Sequence, residues 1–381
     1  MKKITRREFL KISAGSAVVA GVPFVVPGCS NSGTEYVPPP PPQVNAQVVA
    51  VRGTDLYEMS RNVLAELGGI ESIINPGEKV FIKPNMVTLP WAPGSNCFLL
   101  GECTKVEILV AVAEECLKAG AAEVIIGDGS QMYTFDWGAA VTLDGQTNLL
   151  DEAARLSGAY SGNVTLACLE TDSPGWVEVP SRTPMGSILI SDYLTEADRV
   201  ISIAVAKTHI SAQLTLGLKN FVGVTSLDRY AVQLPAGHWE RSAGLDHSSP
   251  QAISQIFLDV VDAVRPDLTL IDFSIGVEGN GPTTGGTMGR PVNMNNRLGS
   301  WLLLGSTDII AADATAARVM SHNAHAIQQL RLGYDMGLGE IYEASIELKG
   351  EKLTDIQVDW EPAVLRNTIR HHMEQQPIYA L

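Results

Sequence analysis

No Cys-x-x-Cys pair occurs in this sequence although it holds five cysteines, so the usual spacing of a zinc or iron–sulfur site is missing. The dinucleotide fingerprint is missing too. In the glycine-rich run 276–289, Gly279, Gly281 and Gly285 stand one residue too far apart, and no phosphate-loop lysine follows. His-Glu-x-x-His and Gly-x-Ser-x-Gly are absent, so no assigned catalytic signature names the chemistry. Positive charge is scarce: 27 Lys and Arg face 42 Asp and Glu, for a formal net charge of −15. A chain this acidic does not fit nucleic-acid binding. The mildly apolar run 12–26 is too short to span a bilayer comfortably.

What is present begins with an export leader. Thr5-Arg6-Arg7-Glu8-Phe9-Leu10-Lys11 matches the twin-arginine signal at every position, which makes the export machinery a partner and the cell envelope or periplasm the expected location. Val26-Pro27-Gly28-Cys29 resembles a lipoprotein cleavage box, in which Cys29 would be acylated and anchor the chain to the membrane. Pro27 departs from the small or aliphatic residue usual there, and ordinary signal-peptidase cleavage nearby is the alternative. Residues 30–46 carry five consecutive prolines among polar residues and form a stiff tether rather than a core. Cys97, Cys103, Cys116 and Cys168 remain; they are expected as small buried residues, with a disulfide between Cys97 and Cys103 open in an oxidising compartment.

The 381 residues are 45% hydrophobic and 18% charged, enough for a large core. Residues 47–381 are expected to form one α/β domain, with 353–381 as a C-terminal helical extension. Strands are expected at 48–51, 79–83, 123–126, 164–169, 199–206, 267–272 and 301–304, with helices at 57–67, 104–119, 148–157, 251–264 and 306–320 between them. This alternation implies a mostly parallel sheet covered by helices on both faces, with long loops over its carboxyl edge. One such loop, 225–249, carries Arg229, His238, Trp239, Arg241 and His247 and suits a lid over a ligand. Residues 346–353 read as a hairpin.

The chain is organised around residues 207–223. They follow the β-branched strand 199–206 and place Lys207 and His209 at a strand's carboxyl end, where open α/β sheets bind ligands. A helix is expected next, because Leu214, Leu218, Phe221 and Val222 form one apolar stripe while Ser211, Thr215 and Lys219 form a polar one. Lys207, His209, Lys219 and Asn220 would then converge on one anionic group. Taken singly, each has a bland role, as a hydrogen-bonded histidine or a lysine reaching for water. Together they are costly to place unless something uses them. Lys83, Asn85 and Asp128 also end strands, Asp272 ends another, and Asp313 sits on a small-residue helix face.

The central stretch, Lys83-Pro84-Asn85, the run 277–282 and the helix bearing Asp308 and Asp313 together resemble domain-of-unknown-function family 362, over roughly 47–353. The resemblance implies an α/β domain of unassigned biochemistry and carries over Lys83, Asn85, Lys207, His209, Lys219, Asn220, Glu278, Asn280, Asp308 and Asp313. Members are often described as iron–sulfur proteins because many carry a ferredoxin-like segment. This sequence lacks that segment, so no cluster is expected.

These residues suit an envelope enzyme that holds a small carboxylate or phosphate on Lys83, Lys207, Lys219 and the glycine-rich loop. His209, with Lys207, would be the proton-transfer group. Asp272, Glu278 and Asp313 would hold the lysines or a divalent cation. Proton transfer next to a carbonyl, as in 2-hydroxy-acid racemases, is one chemistry a Lys/His pair serves. The alternatives are a non-catalytic solute- or partner-binding lipoprotein and a redox accessory protein without its own cluster.

Overall fold

The computed structural model describes residues 43–89, 96–234, 237, 239–285 and 287–364. The leader with Cys29, the spacer up to residue 42, His238 and most of the expected terminal helix lie outside the described residues. In chain order the strands are β1 (Ala46–Gly53), β2 (Lys79–Lys83), β3 (Glu123–Asp128), β4 (Asn163–Cys168), β5 (Trp176–Pro180), β6 (Ser187–Ser191) and β7 (Arg199–His209). There follow β8 (Gln213–Thr215), β9 (Val232–Gln233), β10 (Trp239–Glu240), β11 (Leu268–Glu278), β12 (Arg290–Asn293), β13 (Trp301–Ser306) and β14 (Ile346–Gly350).

Eight strands lie side by side in the order β14-β1-β13-β11-β7-β2-β3-β4, with β12 added to β11 and β8 to β7. The block β11-β7-β2-β3-β4 is parallel throughout, and β13 runs antiparallel between β11 and β1. Alternation along the strands fills a core on each face. Phe81, Ile125, Val200 and Ile271 point to one; Val80, Ile82, Val124, Ile126, Ile201 and Leu270 point to the other. Helices Pro250–Val264 and Ile309–Val319 cover the first face, and Leu56–Glu66 and Val106–Lys118 the second. The expected α/β class and its helix-covered, mostly parallel sheet are therefore present, and strand β2 starts and stops where the sequence places it.

Three expectations change. The stretch after Lys207 is not a helix: β7 runs on to His209, turns, and returns as β8, with Lys207 opposite Thr215. Leu214, Leu218 and Phe221 are buried as expected, but through a short strand and the 3-10 turn Lys219–Val224. The physical reason is that β7 keeps two partners beyond the main sheet edge, since Lys207 also registers with Val277 of β11, and ladder bonds outweigh a helical pattern this short. Residues 346–350 are one strand parallel to β1 rather than a hairpin. Residues 225–249 hold a helical turn (Leu227–Tyr230), the ladder β9–β10 and a 3-10 turn (Arg241–Ala243) instead of an unstructured loop. The four described cysteines are buried and free, so Cys97 and Cys103 form no disulfide.

Candidate functional site

The carboxyl ends of β2, β3 and β7 and the turn Lys219–Val224 open on one cavity of about 840 Å³. Of the residues singled out from the sequence, Lys83, Asn85, Asp128, Lys207, His209, Lys219, Asn220 and Asn280 line it. Asp272, Glu278 and Asp313 do not.

Lys83 is the last residue of β2, and Pro84 ends the ladder because it has no N–H to give. Its ammonium is 2.7 Å from Asp128 Oδ1, at the end of β3, with both side chains buried. It also donates to Pro84 O at 2.6 Å and Asn220 Oδ1 at 3.3 Å. Asp128 is fixed in turn by the Met86 N–H (2.6 Å) and the Ser130 N–H (3.3 Å). Burial lowers the Lys83 pKa, and the Asp128 charge opposes that fall. The turn that closes over this pair needs glycine at 223. A Cβ there would come within 2.6 Å of Asp128 Oδ1 and 2.9 Å of Lys83 Nζ.

Lys207 is fully buried and donates to two neutral acceptors, Asn85 Oδ1 at 2.8 Å and Glu102 O at 2.7 Å. Burial pushes its pKa down to about 8. Asn220 ties the strand ends together by donating to Lys83 O (2.8 Å) and Ser202 Oγ (3.1 Å).

Lys219 differs from both. It is half-buried, lines the cavity, and has no hydrogen-bond or ion-pair partner among the described residues. Its pKa is pushed down to about 7, first by burial and then by the Lys207, Arg241 and Lys83 charges. Its backbone is anchored by the helix Ile309–Val319, where Asp313 accepts the Gly217 N–H (2.8 Å) and Leu218 N–H (3.0 Å). Asp313 is thus neither a ligand group nor a lysine's partner, and burial against those two N–H bonds pushes it up to about 7. Gly217 permits this approach, since a Cβ would lie 2.6 Å from Thr269 Cγ2.

His209 Nδ1 accepts the Ser211 N–H at 2.9 Å and the Ala212 N–H at 3.2 Å, closing the β7–β8 turn. That places the ring proton on Nε2, so the imidazole is set to donate a hydrogen bond rather than to take up a proton. The proton-transfer role expected of His209 would have to run through Nε2, since Nδ1 is occupied as an acceptor. Thr215 Oγ1, also on the cavity wall, is buried without a hydrogen-bond partner among the described residues. Asn280 closes the glycine-rich loop, donating to Thr287 O (3.2 Å) and accepting the Val364 N–H (2.9 Å).

The other carboxylates are already in use. Asp272 meets Lys105 at 3.1 Å and accepts from Ser274. Glu278 takes Arg297 (2.7 Å), Arg290 (3.0 Å) and the Glu361 N–H (3.0 Å), beside a second cavity of about 850 Å³. They hold structural cations, not the cavity lysines. Among the described residues no group of three or more His, Cys, Asp or Glu is placed to hold a metal ion.

Sequence reasoning undervalued Arg241. It is buried in the cavity wall, donates to Ser130 O, Gly129 O and Thr225 O, and lies 3.9 Å from Glu170. Its segment looked like a surface lid because only one of its cations turns inward. Glu102 carried no signal, since it contributes a backbone carbonyl; Thr215 belongs to the polar stripe with Ser211 and Lys219, and it reaches the cavity through strand β8 instead of a helix.

The family model for the Domain of unknown function (DUF362) matches residues 80–318. A thylakoid-associated protein of Synechocystis sp. is 26% identical over 323 residues, which cover 82% of this chain and 88% of that protein. Two solved structures share 12% identity. The lactate racemase apoprotein of Thermoanaerobacterium thermosaccharolyticum has a TM-score of 0.35, over 62% of this chain and 52% of that one. A Thermotoga maritima protein has a TM-score of 0.38, over 75% and 60%. The match thus spans little more than half the length of either solved chain.

Proposed function

We propose that this chain, which belongs to the DUF362 family, binds a small anionic substrate, a carboxylate or phosphate, in the cavity at the ends of β2, β3 and β7. The observation that carries the reading is the charge balance of the cavity wall. Lys83 has Asp128 and Arg241 has Glu170, but neither Lys207 nor Lys219 has a carboxylate in ion-pair contact among the described residues. A buried cation without a counter-charge costs free energy that an anionic ligand offsets. The same cavity wall carries groups suited to an oxyanion: the His209 ring and the hydroxyls of Ser211 and Thr215.

The protein is an enzyme in this reading, with Lys219 as the proton-transfer group. An amine poised near pH 7 exchanges a proton at neutral pH, whereas a surface lysine stays charged. Lys207 and His209 orient the anion, and Lys83 with Asp128 keeps the strand ends in register. In this reading the activity belongs in the cell envelope, tethered by the proline-rich spacer, and the twin-arginine pattern and Cys29 support that location.

Titration calorimetry with lactate, acetate and inorganic phosphate at pH 6 and pH 8 tests the site. At least one anion should bind, more tightly at pH 6, where Lys219 is protonated. Lys207→Met and Lys219→Met should each weaken that anion by about 1–3 kcal/mol, the range for a charge-assisted hydrogen bond. Equal binding by the wild type and both variants would remove the site from consideration. A variant that loses affinity for an anion the wild type never turns over would favour the non-catalytic binder.

A further inference from the structure

We infer that Lys219 is a nucleophile that forms an imine with the carbonyl carbon of a small 2-oxo acid, the substrate's carboxylate resting on Lys207. This rests on the anion reading above and narrows its substrate class. The geometry separates the cavity's three lysines by what holds their nitrogen. Lys83 Nζ donates to a carboxylate and two carbonyl oxygens, and Lys207 Nζ donates to two carbonyl oxygens. Three such bonds hold Lys83 as an ammonium with no lone pair to offer, and two hold the fully buried Lys207 nitrogen in place, where it is not free to swing onto a carbonyl. Lys219 has no such acceptor among the described residues, faces the cavity, and stands on a turn that Asp313 anchors from behind.

The charges around Lys219 act in the same sense. Lys207, Lys83 and Arg241 disfavour its protonation; Asp128 and Glu170 are engaged by Lys83 and Arg241, and Glu240 and His247 complete the titratable wall. A lysine desolvated beside other cations is the known recipe for an amine nucleophile. A carboxylate next to the carbonyl would supply the counter-charge that the wall lacks and bring the carbonyl within reach of the four-carbon stem.

The step balances without a redox partner. The neutral ε-amine adds to the carbonyl carbon, and a proton passes from nitrogen to oxygen to give a carbinolamine. The oxygen takes a second proton from solvent and leaves as water, so the product is a protonated imine. No electrons are lost or gained. The iminium then acidifies the adjacent C–H bond, which is the chemistry a proton-transfer cavity would use.

The test is incubation of the purified protein with pyruvate and sodium cyanoborohydride, followed by peptide mass spectrometry. A single reduced adduct is expected on Lys219, formed ~100-fold faster at neutral pH than on the exposed Lys79 and Lys118, a discounted value for the larger neutral fraction. The rate should rise with pH through about 7 and then level. Phosphate should compete. Lys219→Met should give no cavity adduct, and Lys207→Met should slow labelling of Lys219 by about tenfold. Because the pH profile is read on the unmodified protein, it decides even where a variant fails to fold. Labelling of Lys219 no faster than of Lys79 overturns the inference. If calorimetry still shows pyruvate binding in that case, the imine is wrong and the anion site stands; if pyruvate, lactate and phosphate all fail to bind, both fall.

Discussion

Replacing Lys219 by methionine keeps the side chain's stem and removes its charge, and the structure gives the sign of the outcome. The ammonium has no counter-charge among the described residues and faces Lys207, Lys83 and Arg241. A fall in pKa from 10.5 to about 7 sets a ceiling of ~5 kcal/mol on the cost of keeping it protonated in the folded state. The side chain is only half-buried, and solvent in the cavity screens it, so about 1–3 kcal/mol is expected. Lys219→Met should therefore stabilise the apo protein by that amount at pH 6. The pH dependence follows from the lowered folded pKa. Between about 7 and 10.5 the unfolded chain holds a proton that the folded chain has released, so wild-type stability rises with pH across that window. The variant lacks that contribution, and its advantage should shrink towards zero near the upper end. Urea unfolding at several pH values, in chloride buffer free of phosphate and carboxylates, measures this directly. A variant destabilised at pH 6 would show that Lys219 serves a structural contact, and the argument for an unmet charge would collapse.

Two further predictions concern the strand ends and the leader. Lys83→Met strands the buried Asp128 carboxylate and should cost about 3–5 kcal/mol, with Asp128→Asn in the same chain restoring part of it; strictly additive losses in this double-mutant cycle would mean that the 2.7 Å pair is not coupled. Arg6→Lys with Arg7→Lys should leave the folded protein in the cytoplasm, and Cys29→Ser should release the exported protein from the membrane fraction, both read by cell fractionation. Normal export of the first variant, or continued membrane attachment of the second, would refute the corresponding assignment.

The sheet was legible because β2, β3 and β7 are uninterrupted runs whose alternate residues fill two different cores, a pattern that few other placements satisfy. Convergence of Lys83, Asp128 and Lys207 followed from it, since parallel strands deliver their last residues to one edge. The hairpin β7–β8 was not legible. Leu214, Leu218 and Phe221 have helical spacing, and only the bonds that β7 makes to β8 and β11 decide otherwise. Nor could the sequence say which buried carboxylate meets which cation. Asp272, Glu278 and Asp313 looked alike, yet one holds Lys105, one holds two arginines and one holds two backbone N–H groups. Those pairings are set by sheet register and helix placement, which no local spacing encodes. His209 illustrates the same limit. Its residue type permits proton transfer through either nitrogen, and only the turn it closes shows that Nδ1 is occupied as an acceptor.

That an acidic chain should draw an anion into its interior, as proposed, poses an apparent contradiction, and distance resolves it. Charges more than about 8 Å apart across solvent are largely screened at physiological ionic strength, so the net charge of −15 contributes little at the bottom of the cavity. There the wall's own cations dominate, and burial amplifies them. The gradient among them matters more than their number. Lys83 is neutralised by Asp128, Lys207 is satisfied by neutral oxygens, and Lys219 is left unmet. In the proposed reading, three copies of one side chain would become a strut, an anion holder and a reactive amine through their acceptors. The acidic exterior would slow the approach of any anion, so selectivity has to arise after entry, from how well a ligand's charge and carbonyl fit the space between Lys207 and Lys219.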